Sequence, residues 1–149
     1  MRESEIEQAL AALDGRGSDA EFDAVSRLAT LGDRFPALLL EKYKRSRKLG
    51  QRASCVYHAT KYAKVNAAAY QLGLEALRDK SKVVRYRACL LLAVAQRRGA
   101  ILSLRALVTS NLSREDALAA IDALEHRNHH YFVDREHSGK VTLNVSPGG

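Results

Sequence analysis

The stretch RDKSKVVRYRACLLLAVAQRR, residues 78–98, sets seven cations and one acid around an unbroken apolar run at residues 88–95. Val84, Ala88, Leu91 and Ala95 fall at i, i+4, i+7 and i+11, one face of a helix with 3.6 residues per turn. Leu90, Leu92, Ala93 and Val94 spread apolar surface over most of the rest. A helix of this kind is expected to be packed between neighbours on several sides. Ser81 is its expected N-cap and Gly99 its stop.

Outward from this segment the same period recurs in short pieces. Residues 4–13 place Ile6, Leu10 and Leu13 on one face. Ser18, with Glu21 three residues on, has the pattern of a capping box, and the helix it starts is expected to bury Phe22, Val25 and Leu28 or Ala29. Pro36 suits the first turn of a third helix. Two more are expected near 50–63 and 66–78, the latter capped by Asn66. After Gly99 come AILSLRALV and REDALAAIDALEH, the second expected to be capped by Ser113 with Asp116. Tyr131 and Val133, then Val141, Leu143 and Val145, alternate with polar residues around Gly139, which predicts a β-hairpin. The expected architecture is one mainly α domain over 1–149: helices to 127, a small C-terminal hairpin over 130–145 and a tail from 146.

The 149 residues, 46% of them apolar, suffice for one core, and the Ala, Leu, Glu, Lys and Arg content favours helix. MRESEIEQ lacks the apolar core of a signal peptide, and no apolar run approaches bilayer length, so a cytoplasmic protein with no membrane role is expected. Cys55 and Cys89 stand outside any CxxC or zinc-type spacing and read as small buried residues in a reducing compartment.

The net charge of +7 is unevenly spread. Residues 42–105 hold sixteen cations and only two acids, Glu75 and Asp79, whereas the flanking segments are both net acidic. Ordinary helix surfaces intersperse both signs, so this block is the strongest functional signal in the chain. Its candidate contact residues are Lys42, Lys44, Arg45, Arg47, Lys48 and Arg52 in one cluster. Arg78, Lys80, Lys82 and Arg85 form a second, Arg97 and Arg98 close the helix, and Arg87 is a further candidate on another face. The same side chains could instead form a solvated surface, with cations favoured at helix C-termini. Five of the six tyrosines (43, 57, 62, 70 and 86) lie in this block and could stack on bases or simply pack between helices.

Short helices on short loops invite a search for repeats. An offset of 35 aligns LGQRA (49–53) with VRYRA (84–88) and Val56 with Leu91. LEALRDKSKVVRYRACLLL resembles a HEAT repeat, best over 66–97 and more weakly over 36–65. That resemblance implies a short right-handed stack of antiparallel helix pairs, a HEAT-like α-α superhelix. It also implies a structural pair between Asp79 and Arg85 across the turn. Arg87, about 200° further round the helix, must then serve something else.

Chemistry finds less support. His126 and His130 would share a helix face if that helix ran through both, but the glutamate of a zincin motif is missing from HRNHH. No Gly-rich phosphate loop or G-x-S-x-G occurs. Some HEAT-like proteins are alkylpurine DNA glycosylases, which use tryptophans and a carboxylate beside a basic groove; this chain has no tryptophan. The expectation is therefore a non-catalytic interaction module without cofactor, an adaptor or toxin-neutralising partner of the kind small bacterial HEAT-like proteins provide. Its basic face would dock an acidic protein. The alternative is binding to the phosphate backbone of DNA or RNA.

Overall fold

Ser18, Asn66 and Ser81 each open a helix by accepting a main-chain N–H through the side chain. The donors are Glu21 at 3.2 Å, Ala69 at 3.0 Å and Val83 at 3.2 Å. In the computed structural model, which describes residues 1–136, these caps belong to three of nine α-helices. The nine are α1 (Glu3–Ala11), α2 (Asp19–Ala29), α3 (Arg34–Arg45), α4 (Leu49–Ala59), α5 (Ala67–Ala76), α6 (Lys82–Ala95), α7 (Ile101–Ser110), α8 (Arg114–Glu125) and α9 (His130–Val133). Single 3-10 turns, Thr60–Tyr62 and Arg98–Ala100, follow α4 and α6.

Consecutive helices pack as pairs: α1 with α2, α3 with α4, α5 with α6, α7 with α8. The second members α4, α6 and α8 touch in succession and form one layer; α3 and α5 begin the other. Leu28, Leu39, Leu72, Leu91, Leu92 and Leu104 are fully buried between the layers. Gly73 sets the spacing of the central pair, because a Cβ there would run into the side chains of Leu91 and Leu92. Gly15, at φ +80°, and Gly50 let the turn after α1 press directly on the start of α4.

The helix that opened the sequence reading, α6, buries Val84, Ala88, Leu91 and Ala95 as its period predicts, together with Arg85, Cys89, Leu92 and Ala93. One stripe is left over. Val83 and Tyr86 are exposed, and Leu90 and Val94 only half-buried, at i, i+3, i+7 and i+11.

Several expectations are corrected. In helix α2 Leu28 is buried as expected, but Phe22 is 46% exposed and Val25 half-buried, while Glu21, read as part of a capping box, is 3% exposed and internal. Ser113 makes no cap hydrogen bond; it sits in the left-handed region at φ 47° and its hydroxyl serves α6 instead. Helix α6 is stopped not by Gly99 but by Gln96, at φ 55°, whose side-chain Nε2 donates hydrogen bonds to the carbonyls of Ala93 and Ala123. No β-strand occurs among the described residues, and His130–Val133 is helical. The alternation of Tyr131 with Val133 misled because the buried residue is Phe132 between them, packed on Tyr86 at 5.5 Å between ring centroids. The second half of the expected hairpin, with Gly139, Val141, Leu143 and Val145, lies outside the described residues.

Candidate interaction surface

Two buried carboxylates tie the pairs together. Asp79, in the turn before α6, accepts four hydrogen bonds. Its Oδ2 takes Arg52 Nε at 3.0 Å and the Tyr43 hydroxyl at 2.9 Å; its Oδ1 takes Arg52 Nη2 at 3.3 Å and Ser81 N at 2.9 Å. Burial alone would raise its pKa, but these donors hold the carboxyl below the usual range. Glu21 is the counterpart on α2. Gly15 N and Gly17 N, each at 3.1 Å, meet its Oε1; Ser54 Oγ at 2.7 Å and His58 Nε2 at 2.8 Å meet its Oε2. Burial again opposes ionisation, yet the bonds from His58, Ser54 and Gly17 win and lower this pKa to about 2. His58, with Phe22 and Tyr57 edge-on at 5.6 Å and 4.9 Å, is pushed by burial toward its neutral form and so donates Nε2–H.

The arginines follow one rule. Arg52 and Arg85 each occupy the fourth position of their helix, 33 residues apart rather than the 35 of the sequence alignment. Each gives Nη1 to a carbonyl of its own preceding turn, Arg52 to Arg47 O and Arg85 to Asp79 O, both at 2.8 Å. Each sends Nε to the next turn along the stack: Arg52 to the Asp79 carboxylate, Arg85 to Ser113 Oγ at 2.8 Å. Asp79 and Arg85 therefore do touch, but through the main-chain oxygen. The carboxylate partner is Arg52, which the sequence reading had placed on the binding face and which is buried. The series ends at α8, where the fourth residue is Ala117.

These contacts line up the turns after α1, α3, α5 and α7 along one edge. Gly15 abuts Gly50, Arg52 reaches Asp79, and Arg85 reaches Ser113. Arg97 and Arg98 end up elsewhere, about 21 Å away at the far end of α6. Arg97 stacks on Tyr70 with its guanidinium carbon 3.9 Å from the ring centroid, and Arg98 Nη1 bonds Leu124 O at 3.2 Å. The predicted basic residues thus do not share one face. Lys44 and Arg45 spend their charge on Glu75 and Glu7, at 3.7 Å and 3.5 Å, and Lys42 is half-buried.

Besides Arg87, which lies over the Tyr57 ring at 4.8 Å, there remain Arg47, Lys48, Arg78, Lys80 and Lys82. All five are exposed, on the turns that open α4 and α6, and none has a carboxylate within ion-pair distance among the described residues. Their setting is the positive end of two helices. Helix N-termini carry partial positive charge and favour acids, and α1, α2 and α8 each hold two in the first turn. Helices α3, α4, α5, α6 and α7 hold none; at α4 and α6 Lys48 and Lys82 stand there instead.

The other candidates fall away from chemistry. His126 follows the end of α8, and Arg127 at φ 55° reverses the chain, so His126 and His130 never share a helix face. His126 Nδ1 lies 2.9 Å from Asp122 Oδ1, and its ring stacks on Tyr131. Among the described residues no group of three or more His, Cys, Asp or Glu side chains could hold a metal ion, and no helix is long and apolar enough to cross a membrane. Sequence reasoning missed Glu21, Ser54 and His58; the i, i+4 spacing of Ser54 and His58 was the signal available. No protein-family model matches the chain, and no curated protein matches it.

Proposed function

We propose that this protein is a non-catalytic interaction module, a HEAT-like stack of helix pairs that docks an acidic protein surface through the edge bearing Arg47, Lys48, Arg78, Lys80 and Lys82. The observation carrying this reading is the cluster of five exposed cations, with no carboxylate partner among the described residues, on the turns that open α4 and α6. There, exposed cations add to the positive ends of two helices where acids would stabilise the fold. Such an arrangement costs stability in the isolated chain and is relieved by a bound anion.

The tyrosines favour protein over single-stranded nucleic acid. Base stacking needs open ring faces; each tyrosine of the basic block has a protein partner, and only Tyr57 and Tyr86 stay exposed. Tyr43 is buried on Asp79, Tyr57 lies under Arg87, Tyr62 packs on Phe35, Tyr70 lies under Arg97, and Tyr86 packs on Phe132.

Fluorescence anisotropy with labelled poly-L-glutamate, duplex DNA and single-stranded DNA, at rising salt, tests the reading. Binding to polyglutamate that weakens with salt is expected. No binding of polyglutamate at low salt would overturn it, and tighter, steeply salt-dependent binding of DNA would move the reading to a phosphate-backbone partner.

A further inference from the structure

Val83 and Tyr86 of the unfilled stripe of α6 line the larger of two adjoining hollows. The larger, about 460 Å³, lies between α6 and the start of α8 and is walled by Lys82, Val83, Tyr86, Arg87, Ser113 and Asp116. The smaller, about 200 Å³, lies between α2 and α4, where Gly17, Phe22, Ser54 and Tyr57 line it together with Arg87. Arg87 is common to both. Its guanidinium carbon sits 4.8 Å over the Tyr57 ring, so it forms the divide between them.

The walls mix apolar surface with positive charge. Val83 is 46% exposed, Tyr86 39% and Phe22 46%. Lys82 and Arg87 supply cations that meet no carboxylate among the described residues. The acids at the walls are already engaged: Asp116 with Arg135 Nη2 at 2.9 Å, and Glu21 with its four donors. A ligand therefore meets cations and apolar side chains, with Asp116 paired to Arg135 and the ionised Glu21 buried and hydrogen-bonded within the protein.

We infer that this pair of hollows is the seat of an acidic polypeptide segment carrying apolar or aromatic anchors, one side chain entering each hollow and a carboxylate pairing with Arg87 at the divide. The inference rests on the reading of the Arg47–Lys82 edge as an interaction surface and specifies the partner class, since Lys82 belongs to both surfaces. The charge is complementary to an acidic chain. Val83 and Tyr86 in the larger hollow, and Phe22 and Tyr57 in the smaller, supply the apolar contact that a purely electrostatic docking would not use.

Selection of a random peptide-display library on the full-length protein tests this, followed by synthesis of the enriched peptide and measurement of its affinity. The expected consensus holds at least two acidic residues beside a large apolar one. Arg87→Glu and Tyr86→Ala should each weaken that peptide about tenfold, and Arg97→Glu, at the opposite edge, should not change it. Val83→Asp guards against misfolding as the explanation. It puts an acid in the first turn of α6, where the helix favours one, so the melting temperature should hold or rise while peptide affinity falls. A neutral or basic consensus, no enrichment, or unchanged affinity in Arg87→Glu and Val83→Asp overturns the inference. If Lys48→Glu with Lys80→Glu weakens the peptide while the Arg87 and Val83 variants do not, the groove is wrong and the edge stands. If none of them does, both are wrong.

Discussion

Arg52 and Asp79, 27 residues apart and on different helix pairs, meet as a two-pronged ion pair with side chains 9% and 4% exposed. The next arginine of the series, Arg85, reaches Ser113 across an almost equal separation of 28 residues. The packed pairs are thus pinned turn to turn by guanidinium groups from the starts of α4 and α6. A buried pair of this kind is a weak source of net stability, because both ions lose their hydration. Its effect is sharpest when one partner is removed.

Asp79→Asn should therefore cost about 3–5 kcal/mol, since it leaves the Arg52 guanidinium internal without its counter-charge. Lys44→Ala, which removes an exposed partner of Glu75, should cost under about 1 kcal/mol. Urea denaturation followed by circular dichroism distinguishes the two. Equal losses would show that the Arg52–Asp79 pair is not a structural pin.

Acid should unfold the protein in two stages. Burial lowers the pKa of His58 below its ordinary 6.5, so the unfolded chain binds the extra proton first and stability declines as pH falls below about 6.5. The carboxyls of Glu21 and Asp79 are lowered too; their contribution is full above the ordinary carboxylate range and is lost as pH falls through their folded values, about 2 for Glu21. Thermal melts from pH 8 to 3 should show both declines. In Glu21→Gln the acid limb should flatten while stability at pH 7 drops by roughly 1–3 kcal/mol.

Gly73→Ala should be destabilising by about 1–3 kcal/mol despite the better helix propensity of alanine, because the added methyl must displace Leu91 and Leu92 of α6. A gain in stability would mean that α5 and α6 are not packed as closely as described.

The two thiols offer a probe of global opening. Burial pushes Cys55 and Cys89 up to about 12, so both should resist a thiol reagent at pH 8 in the folded protein. Titration with a chromogenic disulfide should find both reactive in denaturant and neither at once in buffer.

Period and caps made most of the helices legible, because one apolar face repeats every turn and Ser18, Asn66 and Ser81 are capping residues with no better role. What the sequence hid was side-chain partnership. Asp79 and Arg85 have the spacing of a local pair, yet the carboxylate goes to Arg52, whose reach depends on how α4 lies beside α6. Glu21 read as a cap because the pattern looks three residues away, whereas its true partners, Ser54 and His58, are 33 and 37 residues distant. The basic block was plain from composition, but its division between two edges, with Arg97 and Arg98 at the far one, follows only from the direction of α6. At Tyr131 and Val133 two alternating residues were too few to tell a strand from a single turn with Phe132 inside.

The most direct test of the interaction surface compares two variants of equal charge. One reverses Arg47, Lys48, Lys80 and Lys82 to Glu at the proposed edge; the other reverses Lys61, Lys64, Arg97 and Arg105, also exposed, to Glu elsewhere. Affinity for labelled poly-L-glutamate, measured by anisotropy at one fixed salt concentration, should fall at least about tenfold for the first and change little for the second. Equal losses would reduce the edge to its share of net charge and contradict the account.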